Sequence, residues 1–95
     1  MQYVNFDSVK NYYESLVFQH ICTNYAAEPE FQQPGALEDI ACLALNQLPS
    51  RYVRFAIDAS FYLSADEQED MHEAVRKAVD KAADFVRSHP KTAAR

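Results

Sequence analysis

Ninety-five residues, 48% of them hydrophobic and 24% charged, describe one globular domain rather than a disordered chain or several domains. The net charge of −5 is uneven, −8 over residues 1–70 and +3 over residues 71–95, so most of the chain repels a polyanion and duplex DNA is not an expected partner. One glycine rules out glycine-rich phosphate loops; no apolar run nears the ~18 residues that span a bilayer, and MQYVNFDSVK lacks a secretion signal's layout, so a cytoplasmic protein without a membrane partner is expected.

In chain order, Ser8 to Asn24 carries Val9, Tyr13, Leu16, Val17 and Ile21 in helical register, with Asp7 or Ser8 available as N-cap. Tyr12, Phe18 and Cys22 extend the apolar coverage beyond one core-facing stripe, which points to a second subunit and a homodimer. Residues 26–35 hold two prolines and the glycine and form a loop. A second helix is predicted over Leu37 to Leu48, with Leu37, Ile40, Ala41, Ala44, Leu45 and Leu48 as its core face. Pro49 stops it, and Ser50 to Phe55 alternates as a strand does, giving an extended segment at about 51–56. Ser64 and Glu67 form a capping box that opens a third helix, striped by Met71, Val75, Ala78, Val79, Ala82, Phe85 and Val86 and stopped at His89-Pro90. The expected fold is mainly α: a small single domain of three to four helices over residues 1–90, with 91–95 a frayed tail. Cys22 and Cys42, inside two predicted helices, are expected to be free and buried.

Catalytic chemistry finds little support. His20 and Cys22 stand two residues apart on a helix and point to different faces, and no CxxC or HxxxH pair occurs. A zinc site would need Cys22, Cys42, His72 and His89 to converge from afar, so no metal and no cofactor are expected. No activated-nucleophile motif is present, and the chain does not read as an enzyme. The corner after Leu48 is the informative stretch. Arg51 and Arg54 flank Tyr52 there, with Phe61-Tyr62 beyond, and a guanidinium beside an aromatic ring can grip a purine nucleotide by its phosphate and by stacking. The competing reading has both arginines solvated or paired with Asp58 or Glu38. Lys10, Asn11 and Glu14 form a polar stripe on the first helix; as an i, i+4 ion pair Lys10 and Glu14 contribute only ~0.3–0.5 kcal/mol. Asp39 and Asn46 share one side of the second helix, and Asn46 is positioned to hydrogen-bond backbone near Pro49 and hold the corner.

At these residues the chain resembles the ComFB late-competence family. Lys10-Asn11 with Glu14, Leu16 and Val17 carries the resemblance first, then Asp39-Ile40, then the run Ala44 to Val53, reading ALNQLPSRYV, and finally Ala82, Val86 and Pro90. The chain departs from the family in two ways. Some relatives carry extra cysteines that hold zinc, whereas only Cys22 and Cys42 occur here; and the family's second proline and glycine near the corner are replaced by Ser50 and by Ala56-Ile57-Asp58. The resemblance implies a dimeric, mostly helical, non-catalytic protein. Some members, notably in cyanobacteria, are cyclic di-GMP receptors, and others are linked to competence, type IV pili or motility. The expected site is then a cyclic dinucleotide pocket, cyclic di-GMP favoured. Arg51 and Arg54 contact phosphate or guanine, Tyr52 stacks or packs beneath the base, and Lys10, Asn11, Glu14, Asp39 and Asn46 complete the pocket. The alternative is a protein-interaction adaptor with no small ligand, docking a protein partner through its aromatic surface.

Overall fold

A computed structural model describes residues 3–55 and 62–89. Asp7 and Ser8 do not cap the first long helix. They lie in a separate 3-10 turn, Phe6–Ser8, in which the Asn5 side chain accepts from the Asp7 amide at 3.0 Å and the Asn5 carbonyl accepts from the Ser8 hydroxyl at 2.9 Å. The chain then extends as strand β1, Lys10–Asn11, and helix α1 begins only at Tyr12, running to Asn24. Its N-cap is Asn11, whose side chain accepts from the Tyr13 amide at 3.2 Å and satisfies one of the amides that a helix start leaves unpaired. Lys10 and Asn11 thus sit on a strand and not on the helix face expected for them, so helical spacing does not relate Lys10 to Glu14.

Gly35 turns the loop into helix α2, Ala36–Asn46, by adopting a φ of 86°, a region in which a Cβ is penalised. The helix is already finished at Asn46, with Gln47 as C-cap, two residues before the expected end at Leu48. Pro49 disfavours helical geometry in the residue before it. Strand β2, Tyr52–Val53, pairs antiparallel with β1 and is the extended segment; residue 56 lies outside the described residues. Helix α3, Ala65–Ser88, opens with the expected capping box: Ser64 Oγ accepts from the Glu67 amide at 3.0 Å, and Glu67 Oε1 accepts from the Ser64 amide at 3.1 Å. His89 caps its end; the expected tail, 91–95, lies outside the described residues.

Each helix packs on the other two, and α2 against α3 is the most extensive contact. Val17, Ile40, Val75 and Val79 are the large side chains sealed at the centre, one from each of α1 and α2 and two from α3. Around them Ala36, Ala41, Ala44, Ala78, Ala82 and Ala83 are buried, and such small side chains let helix axes come close. Leu37, Leu45 and Leu48 are half-buried at the edge of this core rather than inside it. Phe85, read as part of the apolar stripe, is half-exposed and stacks on His89 at 4.0 Å; Ala83 takes the inward position. Cys22 and Cys42 are free, but both are exposed, correcting their expected burial. The cause is helical phase: Ile21 and Ala41 occupy the inward positions, and the next residue on each helix is rotated by about 100° out of the core.

Two polar ties fasten the turns beyond α1 to α3. The Tyr25 hydroxyl donates to Asp80 Oδ1 at 2.6 Å, where His20 Nε2 also approaches at 3.4 Å. Arg87 pairs with Glu30 at 3.1 Å and lies over the Phe31 ring at 5.1 Å. Burial first, and then the hydrogen bond to Asp80, push the Tyr25 hydroxyl up to about 12. Folded Tyr25 therefore holds its proton more tightly than unfolded Tyr25. Its contribution is complete below about pH 10 and is lost as pH rises through about 12.

Ile40→Ala is expected to cost about 2–5 kcal/mol in urea denaturation, because its site has no solvent-facing side into which neighbours can relax. Tyr25→Phe is expected to flatten the loss of stability between pH 10 and about 12 relative to the parent chain, read from melting temperatures across that range. Parallel pH profiles for the two proteins would refute the assignment.

Candidate functional site

The corner after α2 and the start of α1 are held together by one side-chain oxygen. Asn11 Oδ1 accepts from the Tyr13 amide, as the cap of α1, and also from the Arg51 amide at 3.0 Å across 40 residues of sequence. The backbone completes the junction: Lys10 pairs with Val53 and Asn11 with Tyr52, and the Tyr12 amide donates to the Arg51 carbonyl at 2.6 Å. Directly opposed residues of an antiparallel pair share a face, so Asn11 and Tyr52 lie on one face of the hairpin and Lys10 and Val53 on the other.

Lys10, Arg51, Tyr52 and Arg54 are exposed and Asn11 is half-buried, so the hairpin gathers five of the eight expected site residues. Arg54 lies over the Phe55 ring at 5.1 Å, a cation–π contact that leaves the guanidinium edge in solvent. Among the described residues neither Arg51, Arg54 nor Lys10 forms a salt bridge, Glu38 included; Asp58, the other expected partner, lies outside the described residues. Glu14 is half-buried in the first turn of α1, beside the hairpin. Glu67 is held below the ordinary carboxylate range chiefly by hydrogen bonds with Ser64, with the positive charge of Arg51 adding to the effect. The start of α3 therefore feels the same corner.

The two α2 residues are placed differently. Asn46 is exposed in the last turn, next to the corner, but its side chain makes no hydrogen bond among the described residues. The role of holding the corner, expected of Asn46, is taken by Asn11. Asp39 is half-buried two turns back, ~10 Å along the helix axis from Asn46 at 1.5 Å per residue. Phe55 belongs to the exposed corner and was not among the expected site residues; its position next to Arg54 in an alternating polar and aromatic run was the available signal. Among the described residues no group of three or more His, Cys, Asp or Glu side chains is arranged to hold a metal ion. No helix among them is long and apolar enough to cross a membrane.

Three packed helices with a two-stranded hairpin, which carries cationic and aromatic side chains, define a small, mainly helical module. The family model described as late competence development protein ComFB matches residues 10–90, and the chain belongs to that family. The match begins at Lys10, the first residue of the hairpin, and ends just past α3. No curated protein and no solved structure matches the chain. Family membership gives a late-competence-related regulatory protein, of a family not known for enzymes.

Asn11→Ala removes an acceptor shared by two amides and is expected to cost about 1–2 kcal/mol. Asn11→Asp keeps the acceptor and places a negative charge at a helix N-terminus, where it is favoured, so it is expected to stay near the parent stability in urea denaturation. Equal losses in the two variants would show that this oxygen is not the operative group.

Proposed function

We propose that this protein is a non-catalytic, homodimeric regulator of the late-competence type that binds a cyclic dinucleotide at the hairpin, cyclic di-GMP favoured, and signals to competence, pilus or motility functions in the cytoplasm. The observation that carries the reading is the β1–β2 register. It sets Lys10 and Asn11 beside Tyr52 and Val53, with Arg51 tied to Asn11, and leaves exposed cations and an exposed tyrosine on one small element. A cyclic dinucleotide offers two phosphates and two purine faces, which suit guanidinium and phenol groups, while the Lys10 ammonium, on the opposite face of the strand pair from Tyr52, adds to the local positive charge. Arg51 and Arg54 take phosphate or a guanine edge, and Tyr52 stacks. Asn46, in the last turn of α2, and Glu14, in the first turn of α1, are the remaining members close in sequence to the corner, and Asp39, ~10 Å back along α2, is the most distant residue assigned to the site.

Asn11 enters this reading with a restricted part. Its carbonyl oxygen is already occupied by two backbone amides, so only its amide nitrogen is open to a ligand. The charges on the corner are exposed and therefore screened, which makes affinity fall as salt rises.

Calorimetry with cyclic di-GMP and cyclic di-AMP on the intact chain tests the proposal. Heat with cyclic di-GMP is expected, together with at least about tenfold weaker binding for Arg51→Ala at unchanged circular dichroism, since a hydrogen bond to a charged group contributes ~1.5–3 kcal/mol. Absence of heat with either dinucleotide at tens of micromolar protein would leave the protein-interaction adaptor as the reading of this corner.

A further inference from the structure

The segment ahead of the hairpin is a built element whose apolar side chains are largely exposed. Asn5, Ser8 and the backbone close its turn internally: the Ser8 and Asp7 contacts to Asn5 are joined by Ser8 N to Asn5 O at 3.4 Å and Val9 N to Phe6 O at 3.0 Å. This turn displays apolar side chains to solvent, with Tyr3 86%, Phe6 80% and Val4 64% exposed. An arm that hydrogen-bonds itself into shape while leaving aromatic rings uncovered has already met much of the ordering cost of docking. It also lies upstream of the residues that match the family.

A complementary surface exists on the same chain. Between α1 and α2 runs an apolar groove of about 240 Å³, lined by Phe18, Ile21, Cys22, Leu37, Glu38 and Ala41. A cavity of ~150 Å³ is enough to admit benzene, so the groove has room for an aromatic ring. Phe18 forms its rim and is 47% exposed. Glu38 supplies an acceptor at the edge, as the phenol of a docked tyrosine requires. The groove between α2 and α3 fits less well: Lys81 and Gln47 line it, and its one aromatic, Phe85, already stacks on His89.

We infer that the arm of residues 3–9 docks along the α1–α2 groove of a second copy of this chain, with the Tyr3 ring seated in the groove beside Glu38, Phe6 lying against the Phe18 rim, and each copy reciprocating. This rests on the dimeric reading above and names its interface. Reciprocal exchange uses one arm and one groove from each copy and closes with two-fold symmetry, leaving neither unfilled. On the 150–250 Å² scale of an aromatic side chain, the exposed parts of Tyr3, Phe6 and Phe18 with Val4 and Val9 come to roughly 600 Å² per copy. Two such contacts reach about 1,200 Å², the lower edge of a stable interface.

Sedimentation of the intact chain at 50 to 200 micromolar (about the range in which an interface of this size is populated) provides the test. The parent is expected to sediment as a dimer, and Tyr3→Ser/Phe6→Ser and Phe18→Ser are each expected to weaken association at least tenfold with unchanged circular dichroism. A monomeric parent would overturn the dimeric reading and this interface together. A parent dimer that both variants leave intact would overturn the interface alone. A cysteine at position 6, made as Phe6→Cys in a Cys42→Ser background and oxidised with diamide, is expected to join native Cys22 of the other copy as a covalent dimer. An intrachain bridge instead would show the arm folding onto its own groove and would refute the exchange.

Discussion

The arrangement at the hairpin end depends on a single shared acceptor. Asn11 Oδ1 stops α1 from starting earlier by capping it at Tyr12, and the same atom draws the Arg51 backbone to that cap. A local contact two residues long and a contact spanning 40 residues are thereby made one constraint. The hairpin register, the direction in which β2 leaves α2, and the exposure of Arg51 and Tyr52 follow from it. An aspartate, serine or threonine could cap the helix as well, but the asparagine does so without adding a negative charge where the chain gathers its few N-terminal cations.

The three helices serve this corner by being rigid elsewhere. Valine and isoleucine fill the centre, and alanines bring the helices close, so little of the core consists of side chains with many rotamers. Larger apolar groups, Phe18, Phe85 and the arm's aromatics among them, are displaced to the surface. A core built from small residues leaves interhelical grooves at its margins, which is why the α1–α2 and α2–α3 seams remain open.

How much of this was legible from residues alone varied with the length of the signal. Helix α3 was readable at both ends, because a serine and a glutamate three apart set its start and a long apolar stripe fixed its phase. The start of α1 differs because Asp7 and Ser8 are good caps in the abstract, yet Asn11 is as good a cap and is the one the fold uses, accepting from the Tyr13 amide. The pairing of β1 with β2 was beyond reach, since two-residue strands have no period to detect and nothing local says that residue 10 meets residue 53. The arginine corner itself was visible from Pro49 and the alternation after it. Lys10 and Asn11 stand out in the sequence as a polar stripe, but the stripe is read on a helix whereas they form β1. The cysteines are the opposite case: the general tendency of cysteine is to be buried, and helical phase turns both outward.

The hairpin also has an energetic character distinct from the core. None of Lys10, Asn11, Tyr52 or Val53 is fully buried, and the pairing rests on a few backbone bonds and one amide oxygen. Separating the strands exposes almost no apolar surface, so it is a local opening with a free-energy cost well below that of unfolding the helices. The cationic corner therefore belongs to an element that opens more readily than the helical core. Anything that binds across both strands acts as a clasp, shifting that local equilibrium toward the closed hairpin while the helical core stays as it was.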